Sequence, residues 1–237
     1  MERNPPIIGL TGPSGSGKGE VSRILAAKGG AILDADAVSR EVMLPGGAAY
    51  AEVIAAFGRE ITGTGGEATI TGRDGSIIAD DSMADGSITT AGHIDRVALG
   101  GIVFADAEKK RLLERIVHKH VIGIFERETA ALGKRSPPPR YVVWDAPLLV
   151  EAGMDKRCDN VWVVTAPYEV RLARIMTRDG LDERRARLRL DSQTPEGELA
   201  AKADALIVND GDLQGLEEQV SGLLKKFVTD HTKGGTP

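Results

Sequence analysis

Cysteine is almost absent from this chain: Cys158 is the only one in 237 residues. A lone thiol builds neither a disulfide framework nor a cysteine-ligated metal site, and it reads as a small buried hydrophobe before it reads as a nucleophile. Aromatic residues are also scarce, at 4%. A core drawn from 41% apolar residues is therefore expected to be mostly aliphatic. No apolar run is long enough to span a bilayer, and the opening Met1-Glu2-Arg3-Asn4-Pro5-Pro6 has no signal-type apolar core. The expectation is a cytoplasmic protein with no membrane partner. An excess of basic charge is missing too. A formal net charge of −5 argues against a general polyanion binder, so nucleic acid is not an expected partner, although a local basic pocket stays open. The four histidines show no metal-ligand spacing.

What is present is a strand, a glycine loop and a helix at the very start. Ile7 to Thr11 is a short apolar run, Gly12 to Gly17 punctuates it, and Val21, Ile24 and Leu25 then fall at helical spacing. Gly29-Gly30 ends that helix, Ala31 to Leu33 reads as a second buried strand, and a helix is expected after Asp36. Residues 59–92 hold seven glycines and no periodicity, which reads as a surface insertion. The spacing of Leu112, Leu113, Ile116, Val117, Val121, Ile124 and Phe125 predicts one long amphipathic helix over 106–132, with Gly133 as its cap. Tyr141–Asp145, Val161–Thr165 and Ala205–Val208 read as further buried strands, separated by helices near 168–178, 182–192 and 213–227. Continuous apolar strands alternating with helices predict an α/β fold with a mainly parallel sheet covered on both faces. Length predicts one domain over 1–237, or one domain with a subdomain inserted; a monomer or small homo-oligomer is expected.

Gly12-Pro13-Ser14-Gly15-Ser16-Gly17-Lys18 matches the first seven positions of a nucleotide-binding loop, between strand and helix as that loop requires. Glycines let successive backbone N–H groups turn inward around phosphate oxygens, the helix start adds its positive end, and Lys18 reaches the β and γ phosphates. The alternative is a turn that merely joins strand to helix. One position departs from the pattern: the residue after the lysine is Gly19, where a Ser or Thr hydroxyl normally ligates Mg²⁺. Magnesium is then expected to be held by nucleotide oxygens, waters and carboxylates.

Asp34 and Asp36 follow the second strand, at the strand ends where parallel sheets bind ligands. Spacing alone leaves Asp36 as either a site carboxylate or a helix N-cap. Asp145 ends a third strand and reads as a Mg²⁺ ligand or as a turn residue before Pro147. From Arg171 to Arg189 there are seven arginines and no lysine. Guanidinium groups grip phosphate oxygens with two bonds, and a spacing of four puts Arg174 and Arg178 on one helical face. The segment 171–192 thus reads as a lid or as a solvated charged face. Asn209-Asp210-Gly211 follows the last strand and is a turn by composition.

Several of these blocks together resemble dephospho-coenzyme A kinase. They are Thr11-Gly12 with its loop, Asp34-Ala35-Asp36-Ala37-Val38-Ser39-Arg40, the segments Ile94–Leu99 and Val103-Phe104, His118, and Asp145-Ala146-Pro147-Leu148-Leu149-Val150-Glu151. Arg174 and Arg178 match basic positions after the next strand. The resemblance covers about 7–58 and 94–211, with Lys119 where the family has proline and a longer stretch at 59–92. It implies transfer of the γ-phosphoryl of ATP to the ribose 3′-hydroxyl of dephospho-coenzyme A. It further implies Asp36 as general base and Arg178 and Lys18 at the transferring group. Asp34, Arg40, His118 and Asp145 would lie around the acceptor, and Asn209 and Arg174 around the nucleotide. A helical acceptor-binding subdomain at 94–135 belongs to the same expectation. The Gly-Lys-Gly detail also resembles an adenylate-kinase type of enzyme. A GTPase switch is disfavoured by the lack of Asn-Lys-x-Asp, and an inert nucleotide binder is suggested only by Gly19.

Overall fold

A computed structural model of the chain describes residues 4–63 and 92–233. Most of the 59–92 stretch lies outside the described residues. Its flanks are within them: Arg59–Ile61 form a short 3₁₀ turn, and Thr62 pairs with Ile94 in an antiparallel bridge.

The described chain forms two compact units, one from residues within 1–36 and 122–237 and one from residues within 37–121. The first is a five-stranded sheet: β1 (Ile7–Thr11), β2 (Ala31–Asp34), β3 (Val142–Asp145), β4 (Asn160–Thr165) and β5 (Ala205–Val208). All pairings are parallel, in the order β2-β3-β1-β4-β5. β1 is central, so the loop that follows it opens at the point where the chain switches direction across the sheet, where open α/β sheets place ligands. One sheet face is covered by α1 (Lys18–Ala27) and α9 (Leu213–Lys233). Ile8, Leu10, Val143, Trp162, Val164 and Ile207 meet Val21, Ile24 and Leu25 from α1 and Leu216, Val220, Leu224 and Phe227 from α9. Residues of alternate parity on β3 face the other way. Trp144 packs edge-on against Phe125 at 5.3 Å and donates to Thr129 Oγ1 at 3.1 Å, both from the second half of α5 (Ala107–Gly133). The few aromatics thus anchor a core that is otherwise aliphatic: both tryptophans are about fully buried.

The second unit holds α3 (Tyr50–Phe57), α4 (Arg96–Ala105) and the first half of α5, around buried Val53, Phe57, Ile61, Leu99 and Val117. Asp95 caps α4 by accepting from Val97 N and Ala98 N. Glu52 on α3 accepts from Lys119 at 2.7 Å and pairs with His120 Nε2 at 2.9 Å on α5. The second unit does not coincide with the helical acceptor subdomain expected at 94–135: it begins at 37, and its boundary falls inside α5.

Three local expectations are corrected. The helix expected after Asp36 begins one residue before it: α2 is Ala35–Glu41. Asp34, not Asp36, plays the cap, its Oδ1 accepting from Asp36 N at 2.8 Å. Gly133 is the last residue of α5 rather than a left-handed cap, and it has no positive φ. The remaining elements, α6 (Tyr168–Asp179), α7 (Glu183–Asp191) and the short α8 (Glu196–Ala200), lie in the arginine-rich segment and just after it. Gly180, in the left-handed region at φ 64°, turns the chain between α6 and α7, and Asp182 caps α7. Leu172, Ile175, Ala186 and Leu190 form a small core between the two helices. Among the described residues no helix is long and apolar enough to cross a membrane.

Candidate active site

The loop at 12–18 is bent by glycines that the surrounding protein will not let be replaced. Gly12, Gly15 and Gly17 have φ of 156°, 78° and 90°. A Cβ at Gly12 would lie 2.2 Å from Val164 O, at Gly15 2.7 Å from Arg171 O, and at Gly17 2.0 Å from Asn209 Nδ2. Left-handed backbone and close approach coincide at Gly15 and Gly17, which is why no other residue serves there. The convex side of the loop is thus packed against the ends of β4 and β5 and the start of α6. Ser16 N donates to Pro13 O within the loop at 3.1 Å. α1 begins at Lys18, so the amides of Lys18 and Gly19 precede its internal bonding and are open to an anion.

Two side chains brace the loop from outside. Asn209 is buried, and its Nδ2 donates to Ser16 O at 2.9 Å. Arg174 donates to Gly15 O at 3.2 Å, Ser16 O at 3.4 Å and Asn209 O at 3.3 Å. A guanidinium spread over three carbonyls neutralises their outward dipoles while the amides stay directed inward. Both residues were expected at the nucleotide; here they hold the loop that would hold it.

Lys18 Nζ is paired with Asp145 Oδ1. Asp145 is buried at the end of β3 and stands in register with Asp34 at the end of β2. Two carboxylates and a lysine therefore converge at the carboxyl edge of the sheet beside the loop. These are hard oxygen donors of the kind Mg²⁺ takes one or two of, the rest being phosphate oxygens and water, so Asp145 and Asp34 fit a magnesium–nucleotide complex. Gly19 supplies no hydroxyl, and a Cβ built there meets nothing within 4 Å. Asp36 is exposed in the first turn of α2, and Arg40 is exposed in its last turn. His118 lies half-buried on α5 within the second unit.

The arginines of 171–189 have separate surroundings. Arg171 is buried, donating to Ala166 O at 3.1 Å, near Glu196 Oε2 at 3.5 Å and over the Tyr168 ring at 5.7 Å. Arg178 is exposed and makes two bonds to Asp179, at 2.7 and 2.9 Å. That contact holds the Asp179 carboxyl below its usual range and raises the guanidinium. Leu149 is buried below the Asp145 turn, whereas Leu148 is 45% exposed. Cys158 is inert by environment: burial, with Asp159 and Asp155 nearby, pushes its thiol up to about 12.

The family model for dephospho-CoA kinase matches residues 6–71 and 76–215. The chain belongs to the dephospho-CoA kinase family. The match leaves out 72–75, which lies within the stretch read as a surface insertion at 59–92. A dephospho-CoA kinase of Geobacter sulfurreducens is 37% identical over 93% of this chain and 98% of its own length. One of Moorella thermoacetica is 37% identical over 98% of each. Among solved structures, a Thermus thermophilus protein is 29% identical with a TM-score of 0.71, covering 94% of this chain and 98% of that one. The dephospho-CoA kinase of Campylobacter jejuni, 22% identical over 95% of this chain and 98% of its own with a TM-score of 0.60, shares the fold. These matches do not favour the adenylate-kinase reading. The signal for Asn209 and Arg174 as loop braces was present only as residue types, one just after the last strand and one within α6.

Proposed function

We propose that this chain transfers the γ-phosphoryl group of ATP to the ribose 3′-hydroxyl of dephospho-coenzyme A, giving coenzyme A and ADP. The observation that carries it is the braced loop with Lys18 and Asp145 at its mouth, in a chain of this family.

The loop amides and the start of α1 bind the triphosphate. Lys18, released from Asp145, moves to the phosphate oxygens and offsets their charge. Asp145, with Asp34 beside it in register, is the carboxylate that would hold Mg²⁺; the ion supplies further charge neutralisation when bound. Asp36 accepts the 3′-hydroxyl proton as the oxygen bonds to the γ-phosphorus, and the bond to the β–γ bridging oxygen breaks, releasing ADP. A positioned base contributes roughly 10²–10⁴-fold. The helical pair α6–α7 is the lid, and Arg178 is its arginine for the transferring group. Arg40 and His118 belong to the acceptor side.

Protein incubated with Mg-ATP and dephospho-coenzyme A gains product one phosphate heavier by mass spectrometry, with the new phosphate on the 3′-oxygen. Asp36→Asn is expected to cut turnover by roughly 10²-fold or more with a smaller loss of acceptor affinity. Full turnover in that variant removes Asp36 from the role. Absence of the heavier product with wild-type protein defeats the assignment.

A further inference from the structure

The apex of the phosphate loop is held by a side chain that the reaction above does not use. Gln193 follows α7, and its Oε1 accepts from Ser14 N at 3.0 Å while its Nε2 donates to Ser14 Oγ at 2.8 Å. A backbone N–H only donates, so the orientation of this amide is determined: oxygen to the peptide, nitrogen to the hydroxyl. The connector carrying Gln193 is pinned on both sides. Thr194 Oγ1 donates to the Glu151 carboxylate, and the Glu196 carboxylate accepts from Thr165 Oγ1 and lies 3.5 Å from Arg171. Ser14 follows β1, Glu151 follows β3 and Thr165 ends β4. One short segment thereby ties three strand ends together and lies directly after the arginine helices α6 and α7.

We propose that Gln193 is a positioning residue for the nucleotide. It sets the Ser14 peptide, hence the curvature of the loop, and through α7 it joins that curvature to the arginine segment. The proposal rests on reading 12–18 as a phosphate loop, and it does not depend on which acceptor is phosphorylated. A neutral amide that both accepts and donates makes these two bonds without adding charge. A carboxylate keeps the acceptor for Ser14 N, and the Ser14 hydroxyl can turn to donate to it, so geometry survives. It would, however, place negative charge beside a loop shaped for phosphates. Alanine removes both bonds.

The test uses the full chain carrying Gln193→Ala, Gln193→Glu or Ser14→Ala, and Gln193→Ala with Ser14→Ala. Calorimetric titration with ADP, steady-state kinetics and thermal unfolding are read for each. Gln193→Ala is expected to weaken ADP binding and raise KM for ATP about ten-fold, with kcat and the acceptor KM changed less than about three-fold. Adding Ser14→Ala to it costs little more, because the partner is already gone. Gln193→Glu unfolds near the wild-type temperature, yet it binds ADP more weakly than Gln193→Ala at pH 8 and recovers as pH falls into the ordinary glutamate range, toward about 4. Glu151, Glu196 and Arg171, the native charged groups around the same connector, are common to variant and wild type, so the variant-to-wild-type ratio isolates the introduced carboxyl. Unchanged ADP affinity in both Gln193 variants overturns the proposal, as does an equal loss for nucleotide and acceptor with no pH recovery. Failure of the acceptor assignment looks different: wild-type protein would bind ADP in a Gln193-dependent way while leaving dephospho-coenzyme A untouched.

Discussion

Gly17→Ala is the sharpest probe of how the loop is built. The residue has φ 90° and ψ 20°, and its absent Cβ would lie 2.0 Å from Asn209 Nδ2. Left-handed backbone costs an alanine about 1–2 kcal/mol. Admitting the methyl also forces the Asn209 amide away from Ser16 O, a buried bond of 2.9 Å, and a buried polar group left unpaired costs about 1–3 kcal/mol. The sum is roughly 2–5 kcal/mol, which lowers Tm by roughly 5–15 °C in a chain of this size. Nucleotide affinity is expected to fall at the same time, since the amide of Gly17 belongs to the loop. Gly19→Ala is the control, with no atom within 4 Å of its new Cβ and a helical position that favours alanine by up to about 1 kcal/mol. The decisive measurement is a double-mutant cycle with Asn209→Ala. Removing the amide also removes the clash, so the double variant should be more stable than the sum of the two losses by about 1 kcal/mol or more. Strict additivity, or a Gly17→Ala protein that melts and binds ADP like wild type, refutes the account.

Other consequences follow from single contacts. Tyr141 is fully buried and donates to Leu25 O at 2.7 Å, and burial pushes both its hydroxyl and the Cys158 thiol up to about 12. Above pH ~9 the unfolded chain gives up protons that the native chain keeps, so stability falls with rising pH, by roughly 3 kcal/mol at about pH 10.5. Urea titrations should show that slope reduced in Tyr141→Phe combined with Cys158→Ala; an identical slope contradicts the assignment. Gly19→Ser restores the hydroxyl that the loop lacks. It is expected to lower the Mg²⁺ concentration needed for half-maximal turnover several-fold, and an unchanged metal titration means that the carboxylates alone suffice. Arg178→Ala is expected to cut kcat by roughly 10²-fold or more with less effect on KM for ATP, and a loss confined to affinity argues against its place at the transferring group.

The sheet and the loop were legible because their signals are local. Apolar runs at Ile7–Thr11 and Val161–Thr165, and glycines between a strand and a helix, need no tertiary information. α3 and α4 were missed for the opposite reasons. α3 is a helix of only eight residues, too short to show a period, and α4 carries Gly100 and Gly101 in its middle, although Asp95 marked its start. The Asp34/Asp36 exchange shows the limit of capping rules: two aspartates two residues apart both qualify, and only the strand register decides which one ends β2. Arg174, Gln193 and Asn209 reach the loop across separations of 158, 179 and 193 residues. Contacts of that span leave no periodicity to read: Arg174 and Asn209 were expected at the nucleotide while their partners here are peptide groups, and Gln193 gave no signal at all.

Six of the seven arginines of the segment read as a lid or a solvated face have partners in the structure, and those partners bear on which of the six could turn to a phosphate. Arg171 is buried under its own helix and Arg174 is spent on loop carbonyls. Arg187 bridges Glu183 and Glu169, and Arg185 lies 3.4 Å from Asp182; such exposed pairs are worth little and steady the helices. Arg178 and Arg189 share a single carboxylate, Asp179, at 2.7 and 2.8 Å. If Arg178 turns toward a phosphate, Asp179 keeps Arg189, so no carboxylate is left unpaired by the move. The exchange therefore costs less than breaking an isolated pair, and a phosphate offers Arg178 the same two-bond geometry that Asp179 gives it now. An arginine whose current partner is already doubly served is easier to recruit in the proposed lid closure, which is the physical reason for proposing Arg178 rather than Arg174 at the transferring phosphoryl group.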